Sequence, residues 1–339
     1  MKKWFGRRFK KNILVLGSDG MLGHDVYEHF KALSEQAGSE IGEVTGLDVK
    51  DGIKVDEDVF SGDSSLGAFF RRSIWYDFCI NCVAYTNTAA AEKQDEGYYD
   101  SYRLNALAPK YIARACAERD TKLIHVSTDY VFSQHSLHGA AVGNSTYGTY
   151  DEQFPCNMYG LHKLLGEQFV KDEMQDNYAI LRTSWLYGAH NHKSFIHKFV
   201  CNVVKALNEG KTEIEMTSNE VSIPTCTSTV IDCMTKLVCD KWVSGTMHAV
   251  PFLLEEEQVS RCDFAQAILL CLQLFTNGCD FTKVTLVHVE RNLLQPTWSP
   301  MHSCSSMQLP YWRDALTEFM KKNGQEIVDW AIKQCNTAG

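Results

Sequence analysis

The patterned part of the chain begins with a short apolar run, Ile13 to Leu16, closed by Gly17, and then carries apolar residues at helical intervals from Met21 to Leu33. A brief apolar run bounded by glycine reads as a buried strand, and a period of three to four residues reads as an amphipathic helix. The segment therefore predicts strand, tight turn, helix. The alternation continues, with strands over 43–48, 77–83, 122–127 and 179–183 and helices over 98–118 and 158–171. Strands joined by helices pair in parallel, because the crossover covers a face of the sheet, so the prediction is an α/β protein with a doubly wound parallel sheet. In such sheets ligands gather beyond the carboxyl ends of the strands.

After Thr183 the pattern is less regular. Helices are predicted near 194–208, 228–242 and 261–275, strands near 246–250 and 283–289, and two amphipathic helices at 313–322 and 325–335. The organisation that follows is a basic tail over 1–11, a main domain over 12–183 and a smaller, partly interleaved domain over 184–339. Residues 134–149, rich in Gly, Ser and His, read as a long loop.

Composition narrows the function classes. At 339 residues with 45% hydrophobic content, the chain has enough apolar surface for a large core. A net charge of −9 and a pI near 5.7 argue against a general nucleic-acid or anionic-membrane binder, which needs a basic face. The basic cluster Lys2, Lys3, Arg7, Arg8, Lys10 and Lys11 reads as a solvated tail. No apolar stretch approaches the roughly 20 residues that span a bilayer, and the run at 13–16 is too short for a signal segment. Thirteen cysteines without dense spacing fit reduced thiols, so the expectation is a soluble cytoplasmic protein. Cys79 and Cys82 lie three apart on a predicted strand and face opposite ways, which favours buried packing over a metal or redox pair. No metal ligands are assigned.

Two constellations carry chemistry. The first is Gly17-Ser-Asp19-Gly20-Met21-Leu22-Gly23, directly after the first strand. Glycines there let the backbone turn tightly and approach a pyrophosphate held at the next helix N-terminus, while a plain strand-to-helix turn uses the same residues. Asp48 closes the second strand, where a carboxylate accepts hydrogen bonds from an adenosine ribose and repels a 2′-phosphate; Lys50 and Lys54 are close enough to offset that repulsion. The cofactor is thus NADPH or NADH.

The second is Tyr159-Gly-Leu-His-Lys163, with Ser127-Thr128-Asp129-Tyr130 at the end of an earlier strand. Residues four apart share a helix face, so an ammonium at 163 beside a phenol at 159 lowers the phenol's pKa and makes it a usable proton donor to a carbonyl oxygen. Thr128 can hydrogen-bond the same oxygen. A Tyr and Lys at this spacing also occur on ordinary helix faces; the glycine loop and Ser-Thr strand end make the combination specific.

With GSDGMLG at 17–23, NCVAYT at 81–86, Leu-Asn-Ala at 104–106, LIHVSTDYVF at 123–132, YDEQFPCNMYGLHKLLGE at 150–167 and LRTSWLYG at 181–188, the chain resembles the dTDP-4-dehydrorhamnose reductase family, a branch of the extended short-chain dehydrogenases. The resemblance spans the N-terminal 190 residues and implies a Rossmann-type fold. It implies Tyr159 as proton donor, Lys163 on the nicotinamide ribose, and Thr128 orienting a 4-keto group. It also implies Asp129, Tyr130 and Trp185 at the sugar nucleotide, with Ala84, Tyr85 and Asn105 along the cofactor or supporting the site. The implied partner is a nucleotide sugar, and a homodimer or a heteromer with a related subunit is open.

Three departures bear on substrate. Ala90 and Ala91 precede Glu92 where the family has Asp-Lys; the 134–149 stretch is long; and the family's Arg-Pro-x-x-Ser appears as Ser299-Pro-Met-His-Ser303, without the substrate-holding arginine. The same family contains the regulatory β subunit of methionine adenosyltransferase, a binding protein, so a non-catalytic subunit is the second reading. A reductase or epimerase of a UDP- or GDP-linked sugar is the third. Magnesium, bound by glutamates in some relatives, is not placed.

Overall fold

The computed structural model describes residues 10–58, 65–133, 146–291 and 294–337. Residues 1–9 of the basic tail and 134–145 of the long loop lie outside the described residues.

The first half of the chain alternates strands and helices: β1 (Lys11–Leu16), α1 (Met21–Glu35), β2 (Ile41–Leu47), α2 (Ser65–Arg72), β3 (Phe78–Asn81), α3 (Thr88–Ala91), α4 (Glu96–Tyr102), α5 (Ala108–Glu118), β4 (Lys122–Thr128), α6 (Met158–Met174) and β5 (Tyr178–Thr183), of which α2 and α3 were not predicted. The rest comprises β6 (Leu186–Tyr187), α7 (Phe195–Asn208), β7 (Glu213–Thr217), β8 (Thr225–Cys226), α8 (Thr227–Thr235), β9 (Gly245–His248), α9 (Arg261–Phe275), β10 (Thr285–Val289) and α10 (Trp312–Thr337). Six strands form one sheet in the order β2-β1-β3-β4-β5-β9, and β1 pairs in parallel with both β2 and β3, Leu14 lying opposite Thr45 and Cys79. The order reverses at β1, since the chain leaves to one side for β2 and returns to the other for β3. That reversal opens the crevice where doubly wound sheets take ligands.

The chain divides into two compact units, one of Met1–Ser127, His162–Leu181 and Met234–Thr246, the other of Thr128–Leu161, Arg182–Cys233 and Met247–Gly339. The pattern led to a boundary at 183 with a partly interleaved second domain; by contacts, 128–161 groups with the second unit and 234–246 with the first. Each unit has its own core. In the first, Leu14, Leu16, Cys79, Ile112, Leu123 and Ile180 pack together; in the second, Tyr187, Phe199, Phe264, Trp312 and Ile327 do.

Other elements also differ from the pattern. The helix predicted over 98–118 is interrupted by a wide turn at Arg103–Leu107. Pro109 has no N–H for the Asn105 carbonyl, so the ladder loses a bond there and the turn widens. The helices predicted at 313–322 and 325–335 are one, α10. Asn323 donates its side-chain amide back to the Phe319 carbonyl at 2.9 Å, and Gly324 sits where an added Cβ would stand 3.1 Å from Thr276, so the Asn-Gly pair continues the helix. β7, not predicted, pairs in parallel with β10. All thirteen cysteines are free thiols, and Cys79 is fully buried. Among the described residues no helix is long and apolar enough to cross a membrane.

His197 of α7 is fully buried; its Nδ1 meets the Ser194 hydroxyl at 2.8 Å and its Nε2 has no partner. Burial, with the neighbouring His192 ring adding to it, pulls its pKa down to about 4. The unfolded chain takes up a proton near pH 6.5 that the folded one refuses until about 4, so stability falls as pH drops through that window. Between pH 7.5 and 5 the loss from this group is about 2 kcal/mol. His197→Gln is expected to remove that part of the acid sensitivity, read as a smaller fall in Tm between the two pH values.

Candidate active site

Gly17 follows β1 with φ +79, a left-handed conformation open to glycine, and an added Cβ would stand 3.0 Å from the backbone of Cys82 and Val83. The turn is thus pressed against the exit of β3. Gly23 is tighter: its Cβ would come within 2.0 Å of the Gly17 carbonyl oxygen, so α1 starts directly on the turn. The α1 N-terminus has no side-chain cap and no acidic residue in its first turn. Its N–H groups and the positive end of its dipole suit a pyrophosphate, and the residues present fit a dinucleotide.

Asp48 is placed at the end of β2 as expected. One of its carboxylate oxygens accepts from the Asp19 N–H at 2.9 Å and the other from the Val49 N–H at 2.7 Å, tying the glycine turn to the second strand. Lys50 is held by Asp19 at 2.6 Å, so the cation that sequence proximity set against Asp48 is engaged by another carboxylate.

Asn105 is fully buried in the wide turn and supports its neighbour: its amide donates to the Tyr85 carbonyl at 2.9 Å and its oxygen accepts from the Tyr85 N–H at 3.0 Å. The segment Ala84-Tyr85 is fixed by these two bonds. Lys163 of α6 is almost fully buried, its Nζ donating to the Val126 carbonyl at 2.7 Å, and burial lowers its pKa to about 8.

At the end of β4, Thr128 and Asp129 turn into the second unit. The Thr128 hydroxyl donates to Asp129 at 3.1 Å and accepts from the Tyr130 N–H at 3.2 Å. It is also hydrogen-bonded to Tyr159, so the two predicted catalytic hydroxyls are brought together. The Tyr159 pKa is pushed up to about 12 by burial, with Asp129 adding and Thr128 opposing. The direction is opposite to that expected from the sequence: desolvation of the phenolate dominates, although the residue itself is only half-buried. Tyr130 meets the Tyr159 ring edge-on at 5.4 Å, and its own pKa is raised by burial and Asp129.

Asp129, implied by resemblance to face the sugar nucleotide, is 1% exposed and holds three hydroxyls: Thr128 on one oxygen, Ser222 at 2.7 Å and Ser299 at 2.6 Å on the other. Three of its roughly four acceptor sites are taken within the protein, and burial raises its pKa against those bonds. Ser299, standing where the family has arginine, is one of its anchors. Trp185 has φ +39, and the Arg261 guanidinium lies over its ring at 3.5 Å while reaching Glu220 at 3.5 Å. Ser222, Arg261 and Glu220 were invisible to sequence reasoning because they lie far along the chain from the residues they serve, and Ser299 was legible only as a departure from the family pattern. Among the described residues, no group of three or more His, Cys, Asp or Glu side chains is arranged to hold a metal ion.

The RmlD substrate binding domain family matches residues 11–324. The chain belongs to this family. A relative named dTDP-4-dehydrorhamnose reductase from Mycolicibacterium smegmatis is 29% identical over 316 residues, covering 91% of this chain and 84% of that protein. A solved dTDP-4-dehydrorhamnose reductase from Clostridium acetobutylicum has a TM-score of 0.72 at 25% identity, over 91% of this chain and 98% of that one. Another, from Bacillus anthracis in complex with NADP, shares the fold with a TM-score of 0.72 at 24% identity, over 92% and 99%.

Gly23→Ala forces the first turn apart. Dinucleotide affinity, measured by fluorescence titration of NADPH and NADH, is expected to fall roughly tenfold or more; an unchanged Kd would remove this loop from the cofactor.

Proposed function

We propose that this protein reduces the C4 ketone of dTDP-4-dehydro-L-rhamnose to give dTDP-L-rhamnose, with a reduced nicotinamide dinucleotide as hydride donor. The observation that carries this reading is the hydrogen bond between Thr128 and Tyr159, with Lys163 one turn further along the same helix. When bound, the cofactor supplies the hydride to C4. Tyr159 is fully protonated at neutral pH, so its proton is available for the ketone oxygen as negative charge develops there. The single Thr128 hydroxyl proton lies on Asp129; turned toward that oxygen it would hold the carbonyl in line with the phenol and afterwards steady the phenolate. Lys163 binds the nicotinamide ribose and stabilises the charge left on Tyr159. Relatives named dTDP-4-dehydrorhamnose reductase support the substrate.

Turnover is tested by loss of reduced-cofactor absorbance with dTDP-4-dehydro-L-rhamnose, run beside the corresponding UDP ketosugar. Tyr159→Phe is expected to lower kcat by roughly 10²–10⁴ with cofactor affinity retained. Equal rates with the two ketosugars would overturn the choice of base. Cofactor binding without turnover of either would move the reading to a regulatory subunit.

Cofactor preference follows from the carboxylates beyond β2. Asp48, Asp19 and Asp51 gather there, with Asp51 accepting from the Asp48 N–H at 2.7 Å and Lys50 already paired to Asp19. Negative charge at the adenosine ribose favours a 2′-hydroxyl over a 2′-phosphate, so NADH is the preferred donor. The wild type is expected to show a lower KM for NADH than for NADPH, and Asp48→Asn to narrow the ratio. A wild-type preference for NADPH would refute this assignment.

A further inference from the structure

Lys163 carries a positive charge into a place that opposes it. Its side chain is 2% exposed, and the Val126 carbonyl is a neutral partner. A buried ammonium without a counter-charge gives up its proton. Within its unit, and among the described residues, the titratable groups that face it are His125 on β4, Cys82 after β3 and Glu167 on α6.

Two of these cannot balance it. His125 is fully buried and kept neutral, by burial first and by the lysine's own charge second. Its ring is oriented by Asn81: the Asn81 oxygen accepts from the Val83 N–H at 3.0 Å, which turns the amide nitrogen toward His125 Nδ1 at 3.1 Å. Nδ1 therefore accepts and the proton sits on Nε2. Cys82 has its pKa raised to about 12 by burial, so it stays a neutral thiol.

Glu167 differs. It is fully buried, one helical turn beyond Lys163 and one turn before Lys171 on the same face of α6. One carboxylate oxygen accepts from the Ser127 hydroxyl at 2.6 Å and the other lies 3.8 Å from the Lys171 ammonium. Tyr178 on β5 also faces it, with its phenol raised chiefly by burial and so uncharged. The carboxylate is held against β4 by Ser127, the residue immediately before Thr128.

We propose that Glu167 is a positioning residue for the reaction: anchored by Ser127, its buried carboxylate keeps the Lys163 side chain charged and in place to hold the nicotinamide ribose. The assignment rests on the cofactor role of Lys163 proposed above. Lys163 loses its proton as pH rises through about 8, so cofactor affinity weakens on the alkaline side with a midpoint set by Glu167.

The test is NADH and NADPH affinity by fluorescence from pH 6 to 9.5, with kcat and KM profiles alongside. Glu167→Gln is expected to move the alkaline midpoint down by about one pH unit, because removing an opposite charge one helical turn away lowers a lysine's pKa. Glu167→Asp should recover most of the shift, and Ser127→Ala should produce a smaller one in the same direction. A merely structural glutamate would lower Tm and the amount of folded protein without moving the midpoint. Should Glu167→Gln fail to fold, Ser127→Ala carries the test. A midpoint unmoved in the folded variants, with Lys163→Ala still weakening the cofactor, overturns the Glu167 assignment alone. Unchanged cofactor affinity in Lys163→Ala overturns the role of Lys163 and this proposal with it.

Discussion

A carboxylate buried at the end of a strand organises the second unit's part of the site. Asp129 is almost wholly removed from water, and a charge in that position is tolerated only if hydrogen bonds replace the lost hydration. Ser222 and Ser299 supply two of them, bringing segments 93 and 170 residues away to the end of β4. Thr128 supplies the third, which fixes its side chain and so the hydroxyl that meets Tyr159. The substitution of the family's arginine by Ser299 is intelligible in these terms: a short hydroxyl reaches the carboxylate without adding a second charge to bury.

The protonation states that result are set mainly by desolvation. Burial holds Tyr159 as a neutral phenol, drives His125 to the neutral imidazole and pulls Lys163 toward neutrality. The first suits a proton donor at rest. The third is the one that a reductase must resist, and a carboxylate one turn away on the same helix is the economical means, since i and i+4 side chains share a face. The charge on Lys163 and the proton on Tyr159 thus depend on different neighbours, and a substitution at one should leave the other's resting state largely intact.

The parallel sheet was legible because its strands are short apolar runs and its helices are amphipathic, both visible in one dimension. The pairing of Tyr159 and Lys163 was legible for a similar reason, the two being one turn apart. What escaped is what depends on three-dimensional return. The serines on Asp129 carry no local signal, and Arg261 begins an ordinary helix behind a Ser260–Asp263 capping box. Glu167 was visible as a residue, but its meaning needs the Ser127 contact across 40 positions. Partial interleaving was expected, but the segments concerned, 128–161 and 234–246, are identified only by contacts made far along the chain.

Trp185 shows how the same geometry refines a role implied by resemblance. Its backbone occupies a region that costs a bulky residue of order 1 kcal/mol or more, so the surroundings must over-determine it. They do: Arg261 covers the indole at 3.5 Å, Phe264 stacks at 6.4 Å, and the Trp185 carbonyl accepts from the Thr225 N–H. A guanidinium that already lies on the ring and reaches toward Glu220 leaves less of the indole to stack on a sugar than an uncovered tryptophan would. The arginine's field also acts on Tyr130 and Asp129. Its positive charge is therefore shared among Glu220, Asp129 and the aromatic faces, and Arg261 is better understood as a tie within this unit than as a replacement for the substrate-holding arginine absent at Ser299.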